Sequence, residues 1–216
     1  MVAEKQIIAR GAEAVLYLDK REDGRGGEDG KTVLVKDRIS KGYRLPELDK
    51  RIRRQRTMHE DSLLARAGRA GVAVPRVFDV SADKLVMEFI DGDKVKDGFN
   101  GMDEASRLET AGLIGEALGK LHAANIVHGD FTTSNMLLKG GKLYVIDLGL
   151  GKYSQKAEDQ AVDLYLLHEA LKAAHFKYLN EAWQKILKSY GKHYTQAKDV
   201  LKRLEKIEKR RRYKGG

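Results

Sequence analysis

The chain has 216 residues, of which 42% are hydrophobic and 34% charged, with a net charge of +9 and no Cys. That balance fits a soluble globular chain of one large or two small domains, and excludes a disordered chain, a disulfide framework and a thiolate metal site. No apolar run approaches the ~18 residues of a membrane span, and charges break up the N-terminal MVAEKQIIARGAEAV. Neither a membrane segment nor a signal peptide is expected, and the cytoplasm is the default setting.

In chain order, KQIIARGAEAVLYL (5–18) reads as strand, turn and strand. Small residues in the turn Gly11-Ala12-Glu13-Ala14 let backbone N–H groups approach phosphates. The polar, Gly-rich REDGRGGEDG (21–30) reads as a hairpin tip before the strand TVLVK. Gly30-Lys31-Thr32 mimics the end of a Walker loop, but Arg25 stands where the first Gly belongs and a β-branched strand follows instead of a helix. PELDKRIRRQRTMHEDSLLARAGRAG (46–71) opens on Pro46, runs as a helix to about Ala67 and closes at Gly68 or Gly71. VPRVFDVS and KLVMEFI add two strands around Ala82-Asp83, and IDGDKVKDGFNG (90–101) reads as a linker without a sustained period. Beyond it, Asp103 caps a helix with Leu108, Ala111, Ile114, Leu118 and Leu121 on one stripe. The strand LYVIDLG and helices near 158–175, 178–190 and 196–212 complete the chain, with no internal repeat. The fold class is α+β: a small β-rich lobe with one main helix (1–90), then a compact, mostly helical lobe (91–216). Two lobes joined near 90–92 predict a ligand cleft at their junction.

Asp130, Asn135 and Asp147 all fall on loops of the second lobe, with Asp147 projecting from the end of an apolar strand. Carboxylate and amide oxygens without a His/Cys set suit a hard octahedral cation such as Mg²⁺. From the first lobe, Lys36 ends TVLVK as a point charge for phosphate oxygens, and Glu60 on the following helix can pair with it.

Lys36, Glu60, HGD-x4-N (128–135) and Asp147-Leu148-Gly149 together resemble the bilobal protein-kinase-like fold. VKDRISKGYRLPELDKRIRRQRTMHE (35–60), GAEA, HGDFTTSN and EDQAVDLYLL (158–167) narrow this further. They are similar to the PRPK family, the small kinase of the KEOPS complex, over essentially the whole chain. The resemblance implies ATP and Mg²⁺ as cofactors, and an ATPase that also autophosphorylates as an atypical Ser/Thr kinase. It further implies work with a metal-dependent threonylcarbamoyl transferase subunit and small accessory subunits on an adenosine of tRNA. By the same resemblance, Asp130 orients or deprotonates the attacking hydroxyl, Asn135 and Asp147 hold Mg²⁺, and Lys36, backed by Glu60, grips the α/β phosphates. Gly11, Ala12, Glu13 and Ala14 cover the nucleotide. Met87, Glu88, Phe89 and Ile90 form its hinge or a plain buried strand edge, and Val15 and Leu137 flank the base or serve as core. His128 is structural, and Asp163 braces the catalytic loop through its backbone. Thr132 replaces the Lys of ordinary protein kinases, and only eleven residues separate Asp147 from Asp159, without Ala-Pro-Glu. Both departures favour water or a partner's residue as phosphoryl acceptor. Leu148 stands where the family has Phe.

Residues 202–214 hold eight Lys/Arg against two Glu. Lys209, Arg210, Arg211, Arg212 and Lys214 read as tRNA phosphate contacts or as a solvated basic end, and DKRIRRQR (49–56) is a second cluster of that kind. Two rival readings share part of the pattern. A small-molecule phosphotransferase would need helical insertions for which the second lobe has little space. A catalytically idle RNA-binding scaffold need not keep Lys36, Asp130, Asn135 and Asp147. Phe176, Trp183 and Ile186 form either a partner face or core.

Overall fold

The computed structural model describes residues 6–20 and 30–212, with side chains to residue 210; of the expected hairpin tip at 21–30 only Gly30 lies within these residues. The chain packs as two units, Met1–Ala65 with Pro75–Ile90, and Arg66–Val74 with Asp91–Gly216.

In the first unit, β1 (Gln6–Arg10), β2 (Ala14–Lys20), β3 (Thr32–Arg38), β4 (Val77–Val80) and β5 (Lys84–Glu88) form an antiparallel sheet in the order β1-β2-β3-β5-β4. Alternation along β3 sends Val33 and Val35 into a core with Tyr17. The same period of two puts Lys36 and Arg38 together on the opposite face. Helix α1 (Pro46–Arg69) starts on Pro46, carries Glu47 and Asp49 in its first turn, and is followed by Gly71 at φ +78°. Each feature suits its end: a donor that is not needed, acids by the exposed N–H groups, and a residue free to turn left-handed. Its buried side includes Leu63, Leu64 and Ala67, but also Asp49, Thr57 and Glu60. Buried acids of this kind require partners.

Residues 66–74 join the second unit through specific hydrogen bonds. Arg66 Nε donates to the Ala124 carbonyl at 2.8 Å, Lys120 Nζ to that of Gly71 at 3.2 Å, and Val145 N to that of Ala73 at 2.8 Å. The stretch read as a linker is structured: β6 (Asp93–Lys94), α2 (Val95–Gly98) and a 3-10 turn (Phe99–Gly101) follow one another, with Val95 and Phe99 fully buried. Two anchors four residues apart make no period, so the pattern was invisible. Next come α3 (Glu104–Ala123), β7 (Ile126–Val127), β8 (Met136–Lys139), β9 (Lys142–Val145), β10 (Lys152–Tyr153), α4 (Ala157–Ala174), α5 (Leu179–His193) and α6 (Ala197–Arg212). The strands make a β6-β8-β9 sheet and a β10-β7 ribbon.

Asp103 caps α3 as expected, accepting from the Ser106 N–H at 2.8 Å. Ala111, Ile114, Leu118 and Leu121 on that helix are buried. Burying each Ile or Leu is worth about 1.5–3 kcal/mol. Gly115 and Gly119 let α5 come close, since a Cβ on Gly115 would lie 2.2 Å from the Ile186 carbonyl oxygen and one on Gly119 would lie 2.9 Å from His193 Cβ. Helix α6 packs against α4 and buries Val200 and Leu204. Among the described residues no helix is long and apolar enough to cross a membrane.

Candidate functional site

On the first unit the chemistry gathers on the polar face of β3. Lys36 Nζ donates to Glu60 Oε1 at 2.7 Å, and Arg38 donates to Glu60 Oε2 at 2.6 Å. The Glu60 side chain is 2% exposed and its carboxylate is shared by the two cations, while Arg38 Nη1 also lies 3.9 Å from Glu13 Oε2. Lys36, at 11% exposure, is more solvent-accessible than Arg38 at 5%. Sequence reasoning paired Glu60 with Lys36 alone; the i, i+2 spacing on one strand was the available signal for Arg38.

The turn before β2 is tied down on three sides. Gly11 N donates to the Ala14 carbonyl at 2.9 Å, Ile39 N donates to that of Glu13 at 2.9 Å, and Lys41 Nζ bonds the Ala12 carbonyl. The Glu13 carboxylate pairs with Arg56, whose hydrogen bond holds it below the usual carboxylate range. Within the 35–60 run, Asp49 accepts from Ser40 Oγ at 3.0 Å, from Lys41 N at 3.2 Å and from Arg53 Nε at 2.8 Å. Arg53 also donates to Asp83 at 2.5 Å. This network ties part of that basic run to acids of the same unit. Arg53 pairs with Asp49 and Asp83, and the exposed Arg56 pairs with the exposed Glu13, while Lys50, Arg51 and Arg54 face outward. Val15 is half-buried; Met87 and Ile90 are buried around half-buried Glu88 and Phe89, and the Glu88 N–H is committed to the Arg76 carbonyl at 2.8 Å.

On the second unit the loop after β7 is held at both ends. Asp163 of α4, wholly buried, accepts the N–H of His128 at 2.6 Å and of Gly129 at 2.8 Å. His128 is a strut: its Nε2 lies 3.2 Å from the Ile146 carbonyl, and its Nδ1 accepts from Asp130 N at 3.3 Å. Gly129 sits at φ +81°, and a Cβ there would fall 2.4 Å from the Leu150 carbonyl oxygen. Only Gly fits the middle of His-Gly-Asp.

Asn135 closes a short 3-10 turn (Thr133–Asn135) and directs Nδ2 at Asp130, 2.9 Å from the carbonyl and 2.8 Å from Oδ2. That orientation reserves its amide oxygen for another ligand. Ile146 N donates to the Asn135 carbonyl at 3.0 Å, so the residue before Asp147 is bound through both backbone groups. Asp147 itself is left-handed, φ 61° and ψ 67°, with Oδ1 accepting from Gly149 N at 3.2 Å. Such backbone is tolerated by Asp at a cost and tends to occur where a side chain must be aimed. Leu148 is fully buried. The expected donors, Asn135 and Asp147, offer only oxygen, and among the described residues no group of three His, Cys, Asp or Glu could hold a metal by itself. Few protein oxygens, with phosphates completing the shell, is the set that fits Mg²⁺.

Lys209 and Arg210 are exposed on α6, and Arg210 approaches Glu158 of α4 at 3.7 Å. The side chains of Arg211 and Arg212, and all of Lys214, lie outside the described residues. Phe176 is exposed, whereas Ile186 is core and Trp183 packs edge-on against His168.

Residues 31–165 match the model of the RIO domain. The chain is 39% identical over 213 residues to the KEOPS complex subunit Bud32 of Pyrococcus abyssi, covering 97% of this chain and 96% of that protein. It is 43% identical over 208 residues to a probable bifunctional tRNA threonylcarbamoyladenosine biosynthesis protein of Methanosarcina acetivorans, of which it spans 35%. Among solved structures it resembles WaaP in complex with acyl carrier protein, with TM-score 0.68, 13% identity and coverage of 96% of this chain and 87% of that one. It also resembles the Rio2 kinase–ADP/Mg²⁺–phosphoaspartate complex of Chaetomium thermophilum, with TM-score 0.63, 15% identity and coverage of 94% and 71%. At such identities the structures speak for the fold, which is kinase-like. The sequence relationships go further: the chain belongs to the Bud32 family of RIO-domain proteins.

Proposed function

We propose that the chain binds ATP with Mg²⁺ and hydrolyses it, or transfers its γ-phosphoryl to itself, as the atypical kinase of a tRNA threonylcarbamoyladenosine-forming complex. The observation that carries this reading is the Lys36–Glu60 pair, in which a buried carboxylate fixes the Lys36 amine at 2.7 Å on the polar face of β3. Lys36 takes the α/β phosphates, with Glu60 and Arg38 fixing its amine. Asn135 and Asp147 hold the metal, which when bound neutralises charge on the transferring phosphoryl group. Asp130, aligned by Asn135, receives the proton of the attacking hydroxyl or water. Phosphoryl transfer asks little covalent chemistry of the protein, so positioning and charge supply most of the rate. The names of the relatives support a setting with tRNA, a threonylcarbamoyl transferase subunit and accessory subunits. Lys209 to Arg212 and Lys214 contribute phosphate-backbone contacts, so removing residues 209–216 flattens the salt dependence of tRNA binding and leaves ATP affinity alone.

The test is ATP hydrolysis by wild type and Asp130→Ala, with and without tRNA and the transferase partner. Turnover stimulated by those additions and lost in the variant is expected. Equal turnover in both proteins would overturn the reading.

A further inference from the structure

His175 and Thr133 are two buried polar side chains behind the loop that carries Asp130. His175 follows the last turn of α4 and is 1% exposed; Thr133 opens the turn that ends in Asn135 and is also 1% exposed. His175 Nε2 lies 3.3 Å from Thr133 Oγ1, and its Nδ1 lies 2.8 Å from Asn100 Oδ1. The polarity of this chain is set from its far end. Asn100 Nδ2 donates to the Ala174 carbonyl at 2.9 Å, and a carbonyl can only accept. Asn100 therefore turns its amide oxygen to His175, Nδ1 must carry the proton, and Nε2 is left as an acceptor for the Thr133 hydroxyl. Burial lowers the pKa of His175, with Lys96 adding to the effect, which favours the neutral ring this arrangement needs. Phe99, fully buried, packs on the imidazole at 4.8 Å between ring centres.

We propose that Asn100 and His175 are positioning residues that act through the Thr133 hydroxyl to set the turn presenting Asn135. Helix α4 then holds the loop twice, through Asp163 at His128 and Gly129, and through His175 at Thr133. This gives a function to the 3-10 turn Phe99–Gly101, whose anchor Phe99 and neighbour Asn100 sit beside His175. It also separates the two threonines: the Thr132 N–H bonds the Asp130 carbonyl within the loop, whereas the Thr133 side chain is tied outside it. The inference rests on Asn135 serving the nucleotide site.

The experiment compares Mg²⁺-dependent ATP hydrolysis by the full chain carrying Thr133→Val, Thr133→Ser, His175→Phe, His175→Gln and Asn135→Ala. Thr133→Val keeps shape and loses the donor, and His175→Phe keeps a ring and loses the acceptor. Both are expected to lower kcat about tenfold or more and to raise the Mg²⁺ requirement, with KM for ATP changed about twofold or less. Thr133→Ser retains the hydroxyl, and His175→Gln places an amide oxygen where Nε2 was; both should recover most of the rate. Wild-type kcat in Thr133→Val, or His175→Gln as impaired as His175→Phe, would overturn the positioning role while leaving the site reading intact. If His175→Phe does not fold, the Thr133 pair decides. Full activity in Asn135→Ala would overturn the site reading and this inference with it.

Discussion

Asp147 and Thr132 differ in how firmly their loops hold them. Asp147 occupies a left-handed backbone position that only a tethered loop sustains, and its neighbour Ile146 is bound through both its N–H and its carbonyl. Thr132 has extended backbone and carries no comparable constraint. Asp147→Ala is therefore expected to lower ATP turnover by about a hundredfold or more, since charge stabilisation is the largest contribution to such catalysis. Thr132→Ala should cost severalfold at most, and a steady-state hydrolysis assay giving equal losses would contradict the assigned roles. The Lys36–Glu60 pairing could be read from a strand followed by a helix, and the structure forms it, while Asp130 and Asn135 stand five residues apart in one loop. The need for Gly129 was not legible in the sequence: it comes from a Leu150 carbonyl twenty-one residues further along the chain. Nor was Arg38, whose partner Glu60 lies across from its strand.

At the scale of elements, periodic helices were read to within a few residues, because apolar spacing and caps are local signals. Helix α1 runs to Arg69 against an expected end near Ala67. Helix–helix contact was not read. Gly115 and Gly119 look like weak points of a helix, yet they are where α5 approaches α3. Gly115→Ala adds good helix propensity but drives a methyl to 2.2 Å from the Ile186 carbonyl oxygen. The steric term exceeds the roughly 1 kcal/mol gain in propensity, and a net destabilisation of about 1–3 kcal/mol is expected in chemical denaturation. An unchanged or raised midpoint would show that α5 shifts freely. Likewise 90–101, without periodicity, conceals β6, α2 and two buried anchors, because short elements are fixed by what they pack against.

For the whole molecule, the net charge of +9 has two fates. In the first unit, Arg38, Arg53 and Arg56 pair with Glu60, Asp49, Asp83 and Glu13, so basic residues there build structure. On α6, Lys209 and Arg210 are exposed, where they can meet a polyanion. Composition alone could not separate these fates, since partner choice depends on tertiary packing. If the chain binds Mg²⁺–ATP as proposed, Lys36 and Asp147 both contribute to that binding. Titration calorimetry of ATP into the full chain tests it directly, with Mg²⁺ present and absent. Wild type should bind ATP more tightly with Mg²⁺; Lys36→Met should weaken binding about ten- to a hundredfold, as expected for a lost bond to a charged group, and Asp147→Asn should abolish the Mg²⁺ dependence. Equal affinity in all three proteins, or no binding by wild type, would contradict the account.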